Sequence, residues 1–242
     1  MTWPFENDTS GIVKRISNRS ISANRKRNIF IVLTIVLASA LLSAIVLYGF
    51  GVMQETQNRN QKTAQIMYHA ISEQQGQELY KQEEIAWVGE FFNAFSEQVN
   101  HSTVNFTYAN ADMLTSQSMP YSGDLPASEN EIVVQESFLD CLGYSNELGQ
   151  TIQIPFSDGT THDFKLTGIL DVKTGDIGRY TAIISKELVR QQYGDGGMID
   201  YYIGLKGAQN MSEEEATNYA NTLAQQLKIS DDNVIVRSTY FN

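Results

Sequence analysis

A single cysteine, Cys141, among 242 residues leaves no possibility of an intrachain disulfide, so the fold must be held by packing. Beyond residue 54 there is no run of Lys and Arg, hence no clustered cationic face for a phosphate backbone and no nucleic-acid partner. The three histidines, His69, His101 and His162, are far apart, with no cysteine or second histidine at ligand spacing. No metal site and no other cofactor is expected.

Catalytic signatures are missing as well. There is no Gly-x-Ser-x-Gly elbow, and no serine has a nucleophile's surroundings. The stretch from Gly143 to Thr151 superficially resembles a phosphate loop, but glutamine replaces the lysine and a strand rather than a helix follows; it reads as a turn. The pairs Glu83-Glu84 and Asp231-Asp232 fall in polar turns, where their pKa values would not be driven apart. Glu213, Glu214 and Glu215 are explained as first-turn acids that complement a helix dipole. The expectation is a protein that is not an enzyme.

What the chain does contain is unevenly distributed. The formal net charge is −11, yet Lys14, Arg15, Arg19, Arg25, Lys26 and Arg27 face only Glu6 and Asp8 in the first 28 residues, a local balance of +4. Beyond Gln54, 11 basic residues face 26 acidic ones, a balance of −15. Between these regions Ile29 to Met53 carries no charge. As a helix this run is about 37 Å long, more than the roughly 30 Å of a bilayer's hydrocarbon core. The basic flank keeps the N-terminus cytoplasmic and places the acidic part outside. Ala38-Ser39-Ala40 could mimic a signal-peptidase site, but the apolar run continues well past it, so an uncleaved anchor is expected. The small residues Ala38, Ser39, Ala40, Ser43 and Ala44 form either a contact face for another helix or ordinary lipid-facing filler. Ile12, Val13 and Ile16 alternate with Lys14, Arg15 and Arg19, which fits either a short helix on the inner leaflet or a disordered basic tail.

The expected fold class is α+β: one N-terminal transmembrane helix, then an extracytoplasmic mixed α/β domain. Residues 1–28 form the tail, 29–53 the span and 54–63 a polar stalk. A β-α-β-β unit follows: a strand in Gln65–Ile71, a helix opened by the Ser72/Gln75 capping box, and strands at Ile85–Phe92 and Val104–Asn110. A loop-rich stretch after Asp112 leads to a strand at Glu131–Gln135 and a short helix. A hairpin comes next, with Ile152, Ile154 and Phe156 on one face of its first strand, Phe164, Leu166 and Leu170 on one face of its second, and a turn at Ser157–Thr160. A strand at Thr181–Ile184 and a helix at Lys186–Gln192 end in the flexible Gly194–Gly197. The close is β-α-β: Tyr201–Leu205, a helix opened by Ser212 and Glu215, and Asn233–Arg237. Residues 64–111 and 198–242 thus read as one α/β module, interrupted by a β-rich inserted subdomain at 112–197.

Three blocks of the chain resemble, in order, the N-terminal half of FtsX-like, MacB-type ABC-transporter permeases. They are Asn24–Asn28 directly before the apolar run; Tyr68–Leu79 followed by Ile85–Gly89; and Asn130–Leu139, then Leu148–Ile152 and Phe164–Leu170. The resemblance implies a permease component without ATPase chemistry, partnered by a separate ABC ATPase subunit, by further transmembrane segments or a permease subunit, and by the lipid bilayer. Its outer domain would meet a peptide or other extracellular substrate, and its acidity fits a cationic one. Members of the family continue into further apolar spans, so the chain is read as a fragment, a truncated product or a split subunit. The alternative expectation is a single-span membrane-anchored extracellular sensor or binding module.

Overall fold

The computed structural model describes residues 9–172, 178–194 and 199–237, with only the backbone at residues 21 and 56–61. Glu6, Asp8 and most of the Gly194–Gly197 stretch lie outside the described residues. The chain divides into two compact units, Met1–Thr56 and Gln57–Asn242.

In the first unit, α1 (Ser10–Ala23) gives way at Asn24 to α2 (Arg25–Lys62). The window Arg25–Glu55 of α2 is long and apolar enough to cross a membrane. The polar stretch 54–63, expected as an uncommitted stalk, instead prolongs the helix to Lys62. Its glutamines, lysine and arginine are good helix formers, and it contains no Gly or Pro to stop propagation.

In the second unit, β1 (Ile66–Ile71) runs into α3 (Glu73–Leu79), whose Ser72/Gln75 capping box is complete. β2 (Ile85–Val99) and β3 (Ser102–Ala109) make one long hairpin, with Val99 opposite Ser102. Its tip, Asn100-His101, has positive φ at both positions, the turn that matches strand twist, and both residue types tolerate it. This hairpin extends well past the expected end at Phe92. A bulge between Asn93 and Phe95 resets the alternation, which hides the strand from a period-two reading. Asn110 then caps α4 (Ala111–Ser116), a helix in the stretch expected to be loop.

The remaining elements are β4 (Tyr121–Gly123), β5 (Glu131–Gln135), α5 (Glu136–Leu142), β6 (Thr151–Pro155), β7 (Thr161–Leu170), β8 (Arg179–Ile184), α6 (Lys186–Tyr193), β9 (Ile199–Leu205), α7 (Glu213–Leu227) and β10 (Val234–Val236). A register shift between Ile132 and Val133 against β7 corrects one expectation. Phe164 and Leu166 pack in one core cluster, whereas Leu170 packs in another, because the bulge at Thr167 turns the second half of β7 over.

The ten strands among the described residues join one mixed sheet in the order β10-β1-β9-β2-β3-β8-β5-β7-β4, with β6 beside β7. The strands of residues 112–197 therefore continue the same sheet, attached through the parallel β3–β8 pair. Helices α3 and α7 cover one end of one face, burying Leu79, Ala216, Ala220 and Leu223 against Ile66, Tyr68, Tyr201 and Ile203. Helices α5 and α6 cover the other end, with Phe138, Leu139, Leu188 and Val189 over Phe106, Ile132, Val134 and Leu166. The opposite face carries only α4 among the described helices, where Met113 and Leu114 meet Val133, Leu170 and Ile183.

Gly76 decides how closely α3 can lie on the sheet. A Cβ there would fall 2.0 Å from Cζ of the buried Tyr201 ring. Gly76→Ala should therefore cost about 1–3 kcal/mol by overpacking, read as a lower melting temperature of the full chain in mild detergent. Two neighbouring tyrosines should behave oppositely. The Tyr68 hydroxyl donates to the Ala220 carbonyl at 3.0 Å, whereas the buried Tyr201 hydroxyl has no partner among the described residues. In the same melts Tyr68→Phe should lose about 1 kcal/mol, and Tyr201→Phe should lose nothing or gain.

Candidate functional site

At the junction of the two halves of the sheet sits an acid where a strand should be apolar. In the run from Ile85 to Phe92, Glu90 points to the helix-covered face beside Val88 and Phe92 and is 4% exposed. An ionised carboxylate removed from water costs several kcal/mol unless its oxygens are fully answered. Three donors answer it. Tyr80 Oη donates to Oε1 at 3.0 Å; Tyr108 Oη donates to Oε2 at 2.6 Å, as does Lys186 Nζ at 2.9 Å. Both hydroxyls have pKa values pushed well up, first by burial and then by the Glu90 charge, so they remain protonated donors.

Lys186 opens α6 and reaches across β8 and β3 to this carboxylate. Its Nζ also lies 3.0 Å from Glu73 Oε1 in the first turn of α3, and Arg190, one turn further along α6, donates to the same oxygen. Arg190 and then Lys186 outweigh burial and hold the Glu73 carboxyl below its ordinary range. Two carboxylates against two cations leave the cluster close to neutral. It therefore holds groups in place; it does not present a free base or attract a charged ligand.

The cluster extends through the backbone of the sheet. Asn110 Oδ1 accepts from the Glu90 and Met113 amides, while its Nδ2 donates to the Val88 carbonyl at 2.8 Å and to Tyr80 Oη at 3.3 Å. One side chain thus caps α4 on the open face and braces the Glu90 cluster on the covered face. Elements from residues 64–111 (α3, β2, β3) and from 112–197 (α6) converge on a single carboxylate. Such an arrangement can transmit a displacement of one half to the other, because shifting α6 exposes Glu90 to loss of a partner.

Sequence reasoning did not single out Glu90, Glu73, Lys186 or Arg190. A usable signal existed for Glu90, an inward-facing acid within an apolar strand. The residues that were singled out lie elsewhere. Lys14, Arg15 and Arg19 are exposed on α1; Arg25, Lys26 and Arg27 form the first turn of α2. Ala38, Ser39, Ala40, Ser43 and Ala44 are exposed along α2, and the Ser39 hydroxyl donates back to the Val36 carbonyl of its own helix. The histidines stay apart: His69 on β1 pairs with Asp200, His101 is in the hairpin tip, and His162 on β7 lies tilted against the Phe156 ring. Glu83, Glu84, Asp231 and Asp232 are all exposed.

Two measurements test the cluster. Lys186→Met strands a buried carboxylate and should cost about 3–5 kcal/mol; combined with Glu90→Gln, the loss should fall short of the two single losses added together by about 1 kcal/mol or more. The depressed Glu73 pKa contributes stability above its unfolded-state value, and that contribution is lost as pH falls through the lowered folded-state value. Glu73→Gln should accordingly flatten the decline of melting temperature on acidification below the ordinary glutamate range.

Comparison with known proteins agrees with this architecture. No individually curated sequence is significantly similar to the chain. The extracellular domain of the noncanonic ABC-type transporter YknZ from Gram-positive bacteria superposes with a TM-score of 0.53 at 9% identity, covering 72% of this chain and 100% of that one. The periplasmic region of MacB from Actinobacillus actinomycetemcomitans gives 0.49 at 13% identity, over 71% and 86% of the two chains. At these identities the likeness shows a shared fold, and the first of the two carries it. The MacB-like periplasmic core domain family matches residues 29–223, which take in the apolar part of α2, the whole sheet as far as β9, and most of α7. The match takes in most of the chain, apolar helix and mixed sheet together: the chain belongs to the MacB-like periplasmic core domain family.

Proposed function

We propose that this chain is the membrane-anchored extracytoplasmic part of a permease subunit in an ABC transporter of the FtsX/MacB type. The observation that carries the reading is the extent of the family match, which begins at Ile29 inside α2 and ends at Leu223 in α7. Helix and folded domain are matched together, so the anchor belongs to the unit that does the work. The Glu90 cluster supports a mechanical role, since it ties α6 to α3 and the central hairpin through one desolvated carboxylate. In this reading the chain performs no chemistry. A separate ATPase supplies energy, further transmembrane segments complete the path, and the domain meets substrate or partner proteins outside.

The basic flank sets the orientation. Six Lys and Arg residues precede the apolar run and keep the N-terminus in the cytoplasm, near anionic lipid that the face of α1 bearing Lys14, Arg15 and Arg19 complements. In a Cys141→Ser background, Glu147→Cys should react with a membrane-impermeant maleimide in intact cells, whereas Thr9→Cys should react only after permeabilisation; the reverse pattern contradicts the orientation.

The functional reading is tested by purifying the tagged chain from its native host in mild detergent and identifying what accompanies it by mass spectrometry. Recovery of an ABC ATPase and a multi-span protein is the expected result. Recovery of neither, with the chain intact, contradicts it and favours a free-standing anchored sensor or binding module.

A further inference from the structure

The face of the sheet opposite α3, α5, α6 and α7 is not sealed. Cross-strand partners share a face, so the registers place Tyr202 of β9, Phe91 and Asn93 of β2, Thr107 and Asn105 of β3, and Ile183 and Thr181 of β8 side by side there. Beside them α4 forms a wall through Met113, Leu114 and Gln117, and Met119 follows it. Gly89 sets the separation, because a Cβ on it would stand 3.2 Å from the Met113 backbone. The result is a solvent-open cavity of about 360 Å³.

The chemistry of its lining is selective. The floor is aromatic and aliphatic, the polar groups are carboxamides and hydroxyls, and no Lys, Arg, Asp or Glu lines it among the described residues. Arg237, which stacks over the Tyr202 ring at 5.3 Å, is not part of the lining. A charged group reaching the floor at Phe91, Met113 and Ile183 would lose hydration with no opposite charge in the described lining, whereas an aromatic or branched aliphatic group would be well received. Thr107 is 6% exposed as a residue and lines the cavity, so its hydroxyl is among the polar groups that an occupant would meet.

We infer that this cavity is a binding site for a neutral small ligand that joins an apolar ring or branched chain to amide or hydroxyl groups. The apolar part seats on Phe91, Met113 and Ile183, and the polar part exchanges hydrogen bonds with Thr107, Thr181 and the carboxamides of Asn93 and Asn105. The site spans the β3–β8 junction, so its occupant touches both halves of the sheet. The inference does not depend on the transporter reading, and its test can fail independently of it.

The cavity carries its own reporters, because two of the chain's seven methionines, Met113 and Met119, line it. The full chain, labelled with ¹³C at the methionine methyls and held in lipid nanodiscs, is titrated with N-acetylphenylalaninamide, a neutral aromatic amide. The Met113 and Met119 methyl signals should shift saturably while those of Met53 and Met211 stay in place. N-acetylphenylalanine, with the same ring and one carboxylate, should bind at least about tenfold more weakly, the equivalent of about 1.4 kcal/mol. Asn93→Trp, at an exposed rim position, should abolish the response, and Thr107→Val should weaken it several-fold, each with the Met211 signal unchanged as evidence of folding. Absence of a saturable shift with the neutral amide, equal binding of the carboxylate, or an undiminished response in Asn93→Trp would each overturn the assignment.

Discussion

One desolvated carboxylate constrains how the two ends of this sheet are put together. Glu90 lies on the covered face of the central hairpin with 5% of its side chain exposed, and Lys186 reaches it from α6, 96 residues away, at 2.9 Å. The pair is not a cheap source of stability, since removing both charges from water offsets much of their attraction. Its consequence is specificity of arrangement. A sheet edge can slip in register at modest cost, but slipping β8 along β3 would carry α6 away and leave Glu90 with only two hydroxyls. The parallel β3–β8 pair is thus held by five matched positions of backbone and by a side-chain lock above it.

The rest of the domain is organised around the asymmetry this junction creates. On the covered face, α3 and α7 close one core and α5 and α6 close another, with Phe92 and Tyr108 packed against both. On the other face only the short α4 intervenes among the described helices, leaving aromatic, amide and hydroxyl side chains facing solvent. Asn110 belongs to both sides at once, capping α4 and bracing Glu90. A movement of α4 on the open face and a movement of α6 on the covered face are therefore referred to the same few atoms. That is the property a domain needs if a displacement on one face is to alter its shape as a unit.

Much of this was legible from local signals alone. Capping boxes at Ser72/Gln75 and Ser212/Glu215 identified two helix starts, because each involves residues three apart. The Ser157–Thr160 turn and its flanking alternation identified the β6–β7 hairpin, and the uncharged run identified α2. Failures came where alternation breaks or where partners are distant. Bulges near Ala94 and Thr167 reverse the facing of the residues that follow, so the hairpin seemed to end early and Leu170 was placed on the wrong face. Helix α4 is six residues long, too short for a periodic stripe, and its one sign is the cap at Asn110. The joining of residues 112–197 to the same sheet rests on β3 meeting β8, and the Glu90–Lys186 pair on contacts of similar range. No pattern along the chain encodes which distant strand will be the neighbour, although an acid inside an apolar strand does announce that some cation must come to it.

The central claim is that the carboxylate lock makes the sheet one cooperative body. Native-state hydrogen exchange on the full chain in nanodiscs, resolved by mass spectrometry, tests it most directly by comparing amides of β1 and β9 with amides of β5 and β7. The account predicts that both groups open with the same free energy and denaturant dependence, and that Lys186→Met separates them, with β5 and β7 opening first. Independent opening of the two groups in the unmodified protein, or a Lys186→Met variant in which they remain coupled, would contradict it.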